Sequence, residues 1–159
     1  EEFYNLLVKY EDYSKSIFNI EREQNKPRKD YAKFSDIKNQ VWYMYDELWN
    51  SSEKEYEWQK ITDINEIKLI LDTYINDLYN EIDDKDTWFN KIKSLCDKLG
   101  YASDMKEYKT NPDAFKGSVA DVSTVIRVAL TTKSMTPDLY ELLKLIGKDR
   151  IKERFSEIN

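Results

Sequence analysis

Phe3, Leu6, Tyr10, Tyr13, Ile17 and Ile20 recur at alternating steps of three and four residues, a spacing that lays one apolar stripe along a helix. Pro27 lacks an amide donor and disfavours helical geometry at Lys26, so this first helix is expected to end before the Lys26-Pro27 pair. Residues 25–33 then read as a basic connector. Ser35-Asp36 offers an N-cap, and Ile37, Val41, Trp42, Tyr45, Leu48 and Trp49 restore the helical period for a second helix to about Asn50. From 50 to 60 the chain is polar and loses its period, which places the join between two halves there.

Thr62 or Asp63 can cap a third helix, with Glu66 in capping-box spacing to Asp63 and Ile64, Ile67, Ile70, Leu71, Tyr74, Ile75 and Leu78 facing inward as far as Glu81. Asp83, Asp84 and Asp86 favour the start of a fourth helix, whose apolar positions Trp88, Ile92, Leu95, Cys96 and Leu99 run to a stop at Gly100. Turn signals around Asn111-Pro112-Asp113 leave room for a short helix over 101–116. Gly117-Ser118 opens a fifth helix with Val122, Val125, Ile126, Ala129 and Leu130 on its buried face. Thr136-Pro137 pairs a capping residue with proline at a first helical position and predicts a sixth helix ending near Gly147, and Ile151 and Phe155 predict one more short helix. No segment alternates as a strand, no solenoid repeat occurs and no heptad is sustained, so the fold class is all-α, with two packed helical halves over 1–58 and 59–159.

The composition agrees. Of 159 residues, 40% are hydrophobic and 35% charged, which is not the composition of a disordered chain, and only three Gly and three Pro interrupt it. No apolar stretch nears the roughly 20 residues that span a bilayer, so no membrane partner is expected and the expected compartment is the cytoplasm. The chain opens on Glu1, Glu2 and Phe3, without Met and inside an amphipathic helix, and so reads as a piece of a longer protein. With no His there is no imidazole base or ligand, and the single Cys96 can form neither an internal disulfide nor a thiolate cage. Gly100, Gly117 and Gly147 are too far apart for a phosphate loop, and Asp83, Asp84 and Asp86 lack the other positions of a calcium loop. No catalytic residue, metal ligand or cofactor is expected within the chain.

The net charge is −6, but unevenly spread. Residues 26–38 carry five basic against two acidic side chains and 144–154 the same, net +3 each, whereas 63–86 carries eight acids against two lysines, net −6. Each basic cluster is either a solvated helix end or part of a locally basic face that a polyanion can use despite the overall charge. Aromatic residues reach 14%, and such rings stack on splayed bases in single-stranded RNA readers, although most here sit at core spacing. Tyr140 stands apart because it lies at the expected helix start beside Thr136-Pro137, where free backbone N–H groups are available.

The run Val125-Ile126-Arg127-Val128-Ala129-Leu130-Thr131, then Thr136-Pro137-Asp138-Leu139-Tyr140, then Leu143-Lys144-Leu145-Ile146-Gly147-Lys148-Asp149-Arg150-Ile151 is similar to the C-terminus of bacterial glutamyl-tRNA synthetases. Upstream, Ile20-Glu21-Arg22-Glu23-Gln24-Asn25-Lys26-Pro27-Arg28-Lys29-Asp30 and Lys33-Phe34-Ser35-Asp36 resemble the first anticodon-binding subdomain of the same enzymes. The two stretches cover about half the chain in the family's order.

The resemblance implies a non-catalytic α-helical cage of two anticodon-binding subdomains, detached from a catalytic half that uses ATP and Mg²⁺. It implies glutamate tRNA, through its anticodon stem-loop, and the N-terminal catalytic domain as partners. It places the contact to the first anticodon base on Arg28 and the remaining anticodon contacts on Arg127, Thr136, Pro137, Leu139 and Tyr140. Many members of that family carry Gly where Thr132 stands. Two other readings are the equivalent cage of a class I lysyl-tRNA synthetase, and a helical protein-interaction module that presents an aromatic face.

Overall fold

A computed structural model describes residues 1–22 and 34–159. These form ten helices: α1 (Glu2–Lys9), α2 (Glu11–Arg22), α3 (Phe34–Val41), α4 (Asp46–Ser51), α5 (Ile64–Thr73), α6 (Lys85–Leu99), α7 (Met105–Thr110), α8 (Val119–Thr131), α9 (Leu139–Ile146) and α10 (Lys148–Ser156). No strand occurs among the described residues, only one isolated parallel bridge between Ala102 and Ser118. The fold is all-α. The connector expected over 25–33, and the helix end expected before Pro27, lie outside the described residues.

By packing, the chain divides into two compact units that interleave along it: Glu1–Lys54 with Met135–Ile146, and Glu55–Ser134 with Gly147–Asn159. Periodicity alone divides it once, between 58 and 59; the return of 135–146 to the first unit leaves no mark in the hydrophobic pattern.

In the first unit, the single helix expected over 3–20 is broken at Tyr10 (φ −116°, ψ 52°). The break turns the apolar residues on either side of it onto one ring, that of Tyr45, which is 1% exposed. Phe3 and Tyr13 meet the Tyr45 ring edge to face at 6.1 and 5.7 Å, a favoured aromatic geometry. The Tyr45 and Ser14 hydroxyls share a hydrogen bond of 2.7 Å, and the Tyr10 hydroxyl donates to Glu47 at 2.8 Å. Tyr45 itself is extended (φ −109°, ψ 122°), so the second expected helix is also interrupted, into α3, a 3-10 turn over Trp42–Met44, and α4. Because α3 already begins at Phe34, Ser35 and Asp36 fall in its first turn rather than ahead of it. Helix α9 packs against α2. Its first helical residue is Leu139, later than the Thr136-Pro137 signal predicts; the Asp138 carboxylate accepts from the Glu141 amide at 3.4 Å, while the Thr136 hydroxyl donates to the Pro137 carbonyl.

The second unit is built around α8, which packs against α5, α6 and α10. Eight of its thirteen residues are buried, so one helix supplies the centre of the core. The helix starts agree closely with their caps. Asp63 accepts from the Asn65 amide ahead of α5, Asp84 from Thr87 ahead of α6, and Ser118 and Asp121 form a reciprocal capping box ahead of α8. Glu66 does not complete a box with Asp63; its carboxylate accepts from the Tyr101 hydroxyl at 2.6 Å and from Lys116 at 3.2 Å. The third helix is shorter than its period suggests, giving way to a π turn over Tyr74–Leu78. Cys96 closes the inner face of α6, where burial pushes its thiol up to about 12.

Gly147 begins the last return to the second unit with φ 81° and ψ 160°, a region essentially restricted to glycine. A Cβ there would meet nothing within 4 Å, so the cost of a side chain is a backbone cost alone. Gly147→Ala is expected to lower unfolding free energy by about 1 to 3 kcal/mol, read from the urea midpoint at unchanged slope.

Candidate nucleic-acid interface

The residues singled out by sequence divide between the units. Arg127 belongs to the second, Thr136, Pro137, Leu139 and Tyr140 to the first, and Arg28 lies outside the described residues. Arg127 occupies the third turn of α8, half-buried, on a helix whose other charged residue, Asp121, is held in the capping box. It is therefore the one charged side chain of α8 beyond its first turn.

The chain just beyond Arg127 is tightly tied. The Thr131 hydroxyl, fully buried, donates to the Arg127 carbonyl at 2.8 Å and accepts from the Lys133 amide at 3.0 Å. Thr132 ends the helix in the left-handed region, φ 67°, where a β-branched residue is strained. Its carbonyl accepts from the backbone amide of Glu57 at 2.9 Å. The Glu57 carboxylate in turn accepts from the Ser134 amide at 2.9 Å and its hydroxyl at 3.4 Å, and lies 3.7 Å from the Lys133 ammonium. Glu57 stands on an extended segment in which Tyr56 and Trp58 turn half-buried rings inward, stacked at 5.3 Å, while Glu55, Glu57 and Gln59 face outward. Burial pushes the Tyr56 hydroxyl up to about 12. No local signal marks Glu57 in the sequence: it sits in the polar join, 77 residues from Ser134.

In the first unit, Thr136 and Pro137 are half-buried and Met135 before them is 83% exposed. Leu139 and Tyr140 are buried, at 3% and 7% exposure. Tyr140 thus does not present an open stacking face; the Lys144 ammonium lies 5.3 Å from its ring centroid. Both side chains anchor the start of α9 in the core. Beside them, an open groove of about 330 Å³ is lined by Ser16, Asn19 and Ile20 of α2 and Glu141, Lys144 and Leu145 of α9. The basic cluster over 144–154 is not a uniform solvated face, because Arg154 is 2% exposed and donates to the Leu130 carbonyl at 2.8 Å.

Among the described residues there is no group of three or more His, Cys, Asp or Glu side chains that could hold a metal ion, and no helix is long and apolar enough to cross a membrane.

The family model described as an anticodon binding domain matches residues 3–158. A glutamate–tRNA ligase of Clostridium perfringens is 40% identical over 158 residues, 99% of this chain and 28% of that protein. Those of Acetivibrio thermocellus and Clostridium beijerinckii are 37% and 36% identical, covering 99% and 98% of this chain and 28% of each relative. The chain thus spans 28% of the length of these curated relatives. No solved structure gives a significant match.

The amide of Ser134 and, secondarily, the Lys133 charge hold the Glu57 carboxyl below its ordinary value of 4.5. Its contribution to stability is therefore present above pH 4.5 and lost as pH falls through the lower folded value. Glu57→Gln is expected to melt slightly below the unaltered chain at pH 7, by no more than about 1 kcal/mol for so exposed a group. That gap closes in melting curves taken at successively lower pH below 4.5.

Proposed function

We propose, from the premise that this chain belongs to the anticodon binding domain family, that it is the anticodon-reading part of a glutamate–tRNA ligase. The observation that carries the reading is the identity of 36 to 40% to glutamate–tRNA ligases along essentially the whole chain. The same relatives favour glutamate over the lysyl-tRNA alternative. In the whole enzyme, ATP and Mg²⁺ would serve glutamate activation in the catalytic half, in the cytoplasm. This chain would catalyse nothing and would hold the anticodon stem-loop of glutamate tRNA in register for that half. Its two functional subdomains are proposed as 1–58 and 59–159.

The proposed contacts are Arg28 to the first anticodon base and Arg127, Thr136, Pro137, Leu139 and Tyr140 to the others. A guanidinium offers a planar fork of donors to base acceptors, which suits the half-exposed Arg127. Unstacked bases are read on their Watson–Crick edges, and the backbone over 136–139, at the start of α9, would supply complementary donors and acceptors. Leu139 and Tyr140 would act from beneath, holding that backbone still.

Binding of this chain to glutamate tRNA and to an anticodon-swapped copy, at two salt concentrations, tests the reading. The native anticodon is expected to bind more tightly, and Arg127→Ala and Arg28→Ala each to weaken it by on the order of 1 to 3 kcal/mol, by analogy with bidentate base readout on DNA. Affinity for both RNAs is expected to fall with salt. Equal affinity for the two RNAs, insensitive to both substitutions, would overturn the assignment.

A further inference from the structure

We propose that Glu57 is a positioning residue for anticodon reading, fixing the loop through which the chain passes from the helix of Arg127 to Thr136 and Pro137; this rests on the anticodon assignment above. Glu57 engages that loop at both ends. Its backbone amide donates to the Thr132 carbonyl at 2.9 Å, and its carboxylate accepts from the Ser134 amide at 2.9 Å and from the Ser134 hydroxyl at 3.4 Å. Lys133, between them, brings its ammonium to 3.7 Å of the same carboxylate. Three consecutive loop residues are thus tied to a single residue of the extended segment.

The energetics argue for placement rather than for stability. The side chains of Lys133 and Glu57 are 41% and 44% exposed, and an ion pair so open to water adds little to folding. The loop nonetheless keeps Thr132 at φ 67°, a conformation a β-branched residue holds only where its surroundings over-determine it. Met135, next along the chain, is 83% exposed and adds little packing of its own. Within the second unit, the loop that ends α8 is held over 132–134 by Glu57. Base readout depends on placing donors and acceptors to a fraction of an ångström, so a clamp of small energy has a large effect on selectivity.

The test compares the chain with Glu57→Ala and Glu57→Gln in two measurements: amide hydrogen exchange at Ser134, and the ratio of Kd values for the anticodon stem-loop of glutamate tRNA and its anticodon-swapped copy. Glu57→Ala is expected to release the Ser134 amide and to reduce the ratio by about tenfold, one base contact's worth. Glu57→Gln keeps an oxygen that accepts from Ser134 and is expected to preserve most of the ratio, a rescue that general destabilisation does not produce. Unchanged Ser134 exchange in Glu57→Ala, or a freed amide with an unchanged ratio, overturns the proposal while leaving the anticodon assignment standing. If the unaltered chain shows no preference between the two RNAs, the anticodon assignment itself fails and the positioning role falls with it, whatever Ser134 exchange reports about the clamp.

Discussion

Burial of α8 is the constraint on which the second unit depends. A helix surrounded by α5, α6 and α10 has little tolerance for charge, since an ion taken out of water without partners costs several kcal/mol. Its sequence, VADVSTVIRVALT, obeys this with two charged residues, Asp121 at the cap and Arg127. The same burial fixes where Arg127 emerges: with Val125, Ile126, Val128, Ala129 and Leu130 all turned into the core, the rotation of the helix is determined and the half-exposed side is left to residue 127. Packing and the placement of the candidate reader are one fact seen from two sides.

How much the sequence could show depended on how local each cause is. Helix starts at Asp63, Asp84 and Ser118 and the stop at Gly100 were legible because cap chemistry acts over three or four residues. The breaks at Tyr10 and Tyr45 were not, because the apolar period runs through them unbroken. Their cause is the aromatic cluster around Tyr45, assembled from residues more than thirty positions apart. The Thr136-Pro137 pair carried the right helix-start chemistry, yet Asp138 meets the Glu141 amide and the helix begins at Leu139. Two signals of the same kind lay within three residues, and local rules do not rank them.

The candidate site divides in the same way. Residue types, spacing and family resemblance pointed to Arg127 and to 136–140, but burial of individual side chains is a tertiary property. Tyr140, singled out as a stacking ring, is in the core, and Arg154, counted in a basic cluster, is buried against the Leu130 carbonyl. Glu57 belongs to the class that sequence hides most completely. Its polar surroundings mark a connector, and its partner Ser134 lies 77 residues away.

The three places where the chain passes between units show how such partners come to matter. Before 54/55, the Lys54 ammonium donates to the Trp49 and Ser52 carbonyls, closing the end of α4. Before 134/135, Thr132 takes a left-handed conformation and Glu57 holds it, and at 146/147 Gly147 adopts one that only glycine accepts readily. Each exit is set by a local conformation that stops a helix from running on. The segment 135–146 is therefore bracketed by two special backbone positions, and its helix is anchored by Leu139, Tyr140, Leu142, Leu143 and Ile146. Buried along that face, α9 has its rotation within the first unit set by the core, as α8 has in the second.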